Sequence, residues 1–125
     1  MKKILLVVIC MSSVASAWAD WIKLGTTEHG NVVWHMESGS LEVVSVDIRR
    51  IKFLYNDMKA GRSVMTLDEF NCKQRKTRTV RAKSYNELLA NGKPAVEVDE
   101  PTKWEAVSRG SMSDNLMQIA CRGFK

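Results

Sequence analysis

The residues most able to bind a partner lie in one basic stretch, NCKQRKTRTVRAK, at positions 71 to 83. Its basic side chains are Lys73, Arg75, Lys76, Arg78, Arg81 and Lys83. Clustered positive charge attracts polyanions and acidic proteins. Lysine and arginine on a strand also prevent unwanted edge-to-edge pairing, so the charges alone leave a binding role and a purely structural role equally open. Lys59 and Arg62 precede the neighbouring strand and extend the predicted binding surface, depending on the register of the hairpin.

The first nineteen residues have the features of a secretory signal peptide. Lys2 and Lys3 precede an apolar segment at 4–11, which is too short to span a bilayer at ~20 residues. Small residues follow, and cleavage after Ala19 satisfies the small-x-small rule, as does cleavage after Ala17. We therefore predict an exported chain that consists of a signal peptide, residues 1–19, and a single α+β domain, residues 20–125.

Export determines the chemistry expected of the cysteines. Cys10 leaves with the signal peptide, so Cys72 and Cys121 remain. An even pair in an exported chain indicates a disulfide, whereas in a cytosolic chain it would suggest metal binding or redox chemistry. Closing a loop this long stabilises a small domain by roughly 2–4 kcal/mol.

The two histidines, His29 and His35, are the remaining candidates for catalysis or metal binding. Neither belongs to a catalytic or zinc motif such as H-E-x-x-H, and zinc would need about four ligands. We expect exposed, unliganded histidines, no cofactor, no metal and no enzymatic activity. Haem or metal binding by the two histidines, brought together by a hairpin, stays open as an alternative.

Hydrophobic periodicity predicts the elements that position these residues. Strands are expected at 21–24, 31–36, 41–55, 63–72, 77–85, 95–98 and 104–107, the last two paired with each other. A single helix is expected near the C-terminus, because Met112, Leu116 and Ala120 share one face and Ser111 can act as the N-cap. Strands followed by a helix predict an α+β fold: an antiparallel sheet of about five to six strands, with one C-terminal helix packed on it and tied by the disulfide.

The alternation of apolar and polar residues in two predicted strands indicates which side chains are buried. In the longest predicted strand, 41–55, Val44, Val46 and Ile48 are expected to face the core before the phase slips after Arg50. In the strand 77–85, one face is expected to carry Thr77, Thr79, Arg81 and Lys83, and the opposite, buried face Arg78, Val80 and Ala82. Lys73, Arg75 and Lys76 then lie in the turn before this strand.

Short motifs spread along the chain point to a family. They are WIKLG at 21–25, SGSL at 38–41, GRSV at 61–64, NC at 71–72, Tyr85, Trp104, GS at 110–111 and Cys121. In this order and spacing, the chain resembles the bacterial surface-adhesin protein E family. The resemblance implies a Gram-negative envelope protein and, in adhesive members, a surface that binds host matrix and serum proteins through basic residues.

The chain departs from the family pattern in two places. Arg109 stands where the family often has proline, and the chain lacks the lipidated cysteine that anchors adhesive members. We therefore expect a protein that is periplasmic, on the outer surface or secreted, and not lipid-anchored.

The sequence is compatible with three functions. The first is a non-enzymatic, adhesin-like envelope protein whose basic hairpin binds a protein or an acidic polymer of the envelope or host matrix, with anionic lipid headgroups as a peripheral membrane contact. The alternative is a periplasmic accessory or assembly protein that binds an envelope partner through a strand edge. A lysozyme inhibitor is disfavoured, because lysozyme is cationic and this chain is also net basic, +5 before and +3 after loss of Lys2 and Lys3. Nucleic acid is not expected as a partner, and both a monomer and a homodimer remain open.

Overall fold

The computed structural model describes residues 20–124, which form an eight-stranded antiparallel sheet and one α-helix. The strands are β1 (Trp21–Thr27), β2 (Val32–Glu37), β3 (Glu42–Val43), β4 (Ile48–Asp57), β5 (Arg62–Asn71), β6 (Lys76–Tyr85), β7 (Val96–Val98) and β8 (Glu105–Ala106). The helix is α1 (Met112–Ala120). The predicted signal peptide lies outside the described residues. Within the described part of the chain, no helix has the length and apolarity to cross a membrane.

Three ten-residue strands, β4, β5 and β6, form the centre of the sheet. The strand order is β1-β2-β4-β5-β6-β7, with β3 paired to the start of β4 and β8 to the start of β6. The predicted antiparallel α+β fold is confirmed, with a larger number of strands. The expected pairing between segments 95–98 and 104–107 is wrong, since each pairs with a different part of β6.

The hydrophobic core lies between the sheet and α1. Ile51, Phe53 and Phe70 point from β4 and β5 towards the helix, and they are almost completely buried. Leu116 and Met117 pack against them from α1. We call this side of the sheet the helix face and the opposite side the open face.

The helix is held at both ends as the sequence predicts. The Ser111 side chain accepts a hydrogen bond of 3.1 Å from the backbone N–H of Asp114, which confirms the N-cap. At the other end the predicted disulfide is confirmed, and it joins Cys121 to Cys72, just after β5. The bridge therefore fixes the C-terminal end of α1 to the end of the central hairpin.

The predicted long strand at 41–55 is divided in two. β3 and β4 form a hairpin, and the segment between them turns at residues 44–47. Val46 is 82% exposed, and the prediction that it faces the core with Val44 is wrong. The reason is that alternation reports which residues share a side in an extended segment, but it does not report whether another layer covers that side.

Candidate functional site

A β-bulge in β6 determines where the basic residues point. Leu67 pairs with Arg81 and Asp68 pairs with Thr79, so Val80 has no partner opposite it. An extra residue in one strand shifts the alternation by one position. Arg78 was expected on the buried face with Ala82, but it lies on the open face with Arg81, because it pairs with Glu69 on that side.

The open face contains a groove of about 400 Å³. Its floor is formed by Met65 and Leu67, at the centre of β5. One wall is the turn at 37–40 with Arg50 and Lys52, and the other wall is formed by Arg81 and Lys83. An apolar floor between charged walls suits a segment that presents acidic groups and some apolar contact.

One buried carboxylate organises the basic residues at one end of this face. Glu69 is only 2% exposed and lies between two guanidinium groups. Arg50 Nη2 is 2.8 Å from Glu69 Oε2, and Arg78 Nη2 is 2.7 Å from Glu69 Oε1. The guanidinium of Arg78 also lies 4.6 Å from the centre of the Trp104 ring, a cation–π contact. Arg78 is therefore held in place by the protein itself.

Two further cations at the rim of the groove have exposed partners. Arg81 Nε donates to Asp99 Oδ1 at 3.0 Å, and both side chains are more than half exposed. Lys83 Nζ lies 3.8 Å from Glu97 Oε1. Exposed ion pairs of this kind contribute only about 0–1 kcal/mol, so an incoming carboxylate can replace Asp99 or Glu97 at little cost.

Arg75 has a structural position in the β5–β6 turn. Its backbone adopts a left-handed conformation, with φ of 53°, which is unfavourable for a non-glycine residue. Its carbonyl accepts the N–H of Val107 at 2.9 Å, and its Nη2 lies 2.8 Å from Asp114 Oδ1 on α1. The hydrogen bond from the Gly110 N–H and the Arg75 guanidinium together lower the pKa of Asp114. Arg75 thus ties the turn to β8 and to the helix.

The other four predicted binding residues lie at opposite ends of the sheet. Lys73 and Lys76 are exposed at the β5–β6 turn, whereas Lys59 and Arg62 are exposed at the β4–β5 turn. At about 3.3 Å per residue, the length of β5 separates the two pairs by roughly 30 Å. Lys59 and Arg62 therefore lie far from the β5–β6 turn, and neither lines the groove. Among residues 20–124, these four side chains form no ion pair within 4.0 Å.

The groove also contains residues that were not predicted as binding residues. Arg50 and Lys52 alternate along β4 and point to the open face, and Lys52 pairs with Glu37 at 3.1 Å. Residues two positions apart in a strand share a side, so the sequence could have placed Arg50 and Lys52 together. The predicted strand at 41–55 had no neighbouring strand assigned to it, so the sequence did not indicate a groove there. Met65 on the groove floor had no signal of its own, because a half-buried methionine in a strand resembles a core residue.

The two histidines lie in different surroundings. His29 is exposed in the 3₁₀ turn at 28–30, and His35 is half-buried in β2. Burial lowers the pKa of His35, with a further contribution from Lys23, so its neutral form is favoured. In the described region, 20–124, no group of three or more His, Cys, Asp or Glu side chains is positioned to hold a metal ion.

Asp68 is a carboxyl on the helix face, opposite Ile51 of β4. Its carboxylate accepts hydrogen bonds from the Thr79 hydroxyl at 2.8 Å and the Thr66 hydroxyl at 3.1 Å. Burial raises the pKa of Asp68, and the two hydroxyls offset part of this rise. The two threonines satisfy the carboxylate, so the structure explains it without a ligand.

Comparison with solved structures supports the fold. The selenomethionine form of Haemophilus influenzae protein E has a TM-score of 0.62 and 19% identity over 82% of this chain and 87% of that chain. Crystal form II of Haemophilus influenzae protein E has a TM-score of 0.60 and 17% identity over 82% and 88% of the two chains. Protein E from non-typeable Haemophilus influenzae has a TM-score of 0.56 and 18% identity over 82% and 84%. At these identities the likeness establishes the fold alone.

Comparison of the sequence with protein families gives a direct assignment. No curated protein matches the sequence. The model of one family, described as Surface-adhesin protein E, matches residues 21–122, from the start of β1 to just beyond α1. The match covers nearly all described residues and confirms the resemblance seen in the short motifs. This chain belongs to the surface-adhesin protein E family.

Proposed function

We propose that this chain is an exported, non-enzymatic, adhesin-like protein that binds an acidic segment of an extracellular or host protein across the open face of its central hairpin. Family membership supports an adhesin-like surface protein. The observation that carries the choice of site is the groove itself, in which Arg81 and Lys83 border an apolar floor.

The ion pairs of the groove explain how it can take an acidic partner. Asp99 and Glu97 hold Arg81 and Lys83 in place in the absence of a partner, which reduces the loss of side-chain freedom on binding. A carboxylate from the partner then replaces an exposed acid of the same kind. Met65 and Leu67 add apolar contact, which charge alone would not provide.

Arg75 and Arg78 have a different role in this proposal. Their guanidinium groups already contact Asp114 and Glu69, which are both buried. Replacement of either arginine would disturb folding, so loss of binding in such a variant would not identify a contact residue. The contact residues are Arg81 and Lys83, which both line the groove.

The test uses poly-L-glutamate as the probe, with heparin as a sulfated comparison. We expect the double variant Arg81→Gln/Lys83→Gln to bind poly-L-glutamate about tenfold more weakly, because two exposed contacts with carboxylates are lost. Binding by the unmodified chain should also weaken between about 50 and 300 mM salt. Isothermal titration calorimetry measures both effects.

A matched control is available at the β4–β5 turn. Lys59→Gln/Arg62→Gln removes the same charge from two residues that do not line the groove and should leave binding unchanged. An equal loss in this control would show attraction by net charge alone and would refute the site. Binding that resists high salt and survives both double variants would instead favour contact with the free edge of β1, where Ile22 is exposed.

A further inference from the structure

The hairpin between β3 and β4 presents an apolar tip that the core does not use. Val43 is 69% exposed, Val44 43% and Val46 82%. We call these three residues the valine tip. Exposed single valines are common, but three within four positions at the end of a hairpin form a local apolar protrusion.

The valine tip is held in one conformation by hydrogen bonds. Arg49 Nη1 donates to the carbonyls of Ser45 at 3.1 Å and Val46 at 3.3 Å. The Val44 N–H donates to the Ile48 carbonyl at 3.0 Å, and the Cys72 N–H donates to the Asp47 carbonyl at 2.8 Å. The valines are therefore fixed in an exposed position, which removes the ordering cost of a flexible loop.

Basic side chains lie at the same end of the molecule. The Cys72 contact places the tip beside the β5–β6 turn, and the disulfide places the end of α1 there as well. The exposed cations of this end are Lys73, Lys76 and Arg122, which we call the basic rim. The nearby acids are Glu42, which pairs with Arg50, Asp47 in the hairpin turn, and Glu105, which lies opposite Thr77 in β8. Three exposed cations therefore face two acids, Asp47 and Glu105, that form no ion pair among residues 20–124, so positive charge predominates.

We propose that the valine tip and the basic rim together form a docking surface for an anionic lipid membrane. A lipid surface yields around a small protrusion, so a few apolar side chains can enter the headgroup region while nearby cations meet the anionic headgroups. Three valines are too small for the core of a stable protein interface, which buries about 1,200–2,000 Å² in total. This surface is separate from the groove and does not depend on the proposed partner there.

The experiment is co-flotation of the processed chain, purified from the cell envelope, with lipid vesicles. We expect binding to vesicles with about one third phosphatidylglycerol, and much weaker binding to phosphatidylcholine alone. Val43→Ser/Val46→Ser should reduce the partition coefficient about tenfold, because less apolar area leaves water. Replacing Lys73, Lys76 and Arg122 by glutamine should reduce it by about fivefold per charge.

Matched controls are offered by β7 and by the β4–β5 turn. Val96→Ser/Val98→Ser changes two other exposed valines, and Lys59→Gln/Arg62→Gln removes two exposed charges at the opposite end of β5, so both should bind vesicles as the unmodified chain does. Val46→Trp should strengthen binding, since tryptophan favours the membrane interface, and an unchanged urea midpoint shows that the variant is folded.

Three outcomes would overturn the proposal. The first is no binding to phosphatidylglycerol vesicles, and the second is binding that is insensitive to Val43, Val46 and the Val46→Trp change. The third is binding of poly-L-glutamate that is as tight as binding of the vesicles and that also requires Val43 and Val46. That result would assign the valine tip to an acidic protein instead of a membrane.

Discussion

At the scale of single residues, the role of each basic side chain depends on whether its acidic partner is buried or exposed. Arg78 and Arg81 are close in sequence and share the open face, yet Arg78 contacts a buried glutamate and a tryptophan ring, whereas Arg81 contacts an exposed aspartate. A charge held by a buried partner contributes to folding, and a charge held by an exposed partner can change partners.

This difference predicts different effects on stability. Arg78→Ala should lower the free energy of unfolding by roughly 2–3 kcal/mol, because Glu69 stays buried with only Arg50 to compensate its charge. Arg81→Ala should lower it by less than about 1 kcal/mol. Urea denaturation at neutral pH measures both variants, and equal losses would contradict the assignment.

Asp68 predicts a pH dependence with a defined sign. Burial raises the pKa of this carboxyl in the folded state, so its contribution to stability is present at low pH and is lost as the pH rises through the folded value. Asp68→Asn removes this loss and can still exchange hydrogen bonds with Thr66 and Thr79. The stability of the variant relative to the unmodified chain should therefore increase from about pH 4 to pH 7.

Denaturation curves across that pH range provide the measurement. Thr79→Val serves as a second variant, because it removes a hydrogen bond that lowers the pKa of Asp68 and should move the transition to higher pH. A constant difference between Asp68→Asn and the unmodified chain over the whole range would show that burial does not perturb this carboxyl.

At the scale of elements, a bulge and a disulfide position the hairpin. The bulge at Val80 brings Arg78 and Arg81 to one face although three positions separate them. The disulfide brings together the end of β5 and the end of α1, and Arg75 adds an ion pair to the start of the same helix. The helix is thus attached to the central hairpin at both of its ends.

The disulfide predicts a loss of stability on reduction. The two cysteines are 49 residues apart, and the chain-entropy model assigns about 4 kcal/mol to a loop of that length. Cys72→Ala/Cys121→Ala should lower the free energy of unfolding by about 2–4 kcal/mol, measured by chemical denaturation without reductant. Ser111→Ala, which removes only the N-cap, should cost about 1 kcal/mol. A double-alanine variant no less stable than Ser111→Ala would show that the bridge is dispensable.

At the scale of the whole molecule, the charged and apolar features separate into distinct surfaces. The groove with Arg81 and Lys83 lies on the open face, the helix covers the opposite face, and the valine tip with its basic rim lies at one end. The pairs Lys59/Arg62 and Lys73/Lys76 lie at opposite ends of β5. The proposed protein-binding groove and the proposed membrane-docking surface therefore use different residues.

Much of this fold follows from local sequence signals. The N-cap at Ser111, the apolar stripe of α1 and the alternation in β4 each depend on residues within a few positions of one another, and the even cysteine pair needs only counting. The valine tip was misread because Val44 and Val46 alternate like a buried strand. Alternation contains no information on whether a second layer covers the residues.

The sequence by itself determined the fold class, the disulfide, the helix and the presence of a basic hairpin, because local periodicity and an even cysteine count specify them. Only the tertiary structure decided which basic residues are available to a partner. That outcome depends on Glu69, Asp99 and Asp114, which register, strand pairing and helix packing bring to Arg78, Arg81 and Arg75. Charge is a property of the residue, but its availability is set by the distance to acids contributed by other segments of the chain.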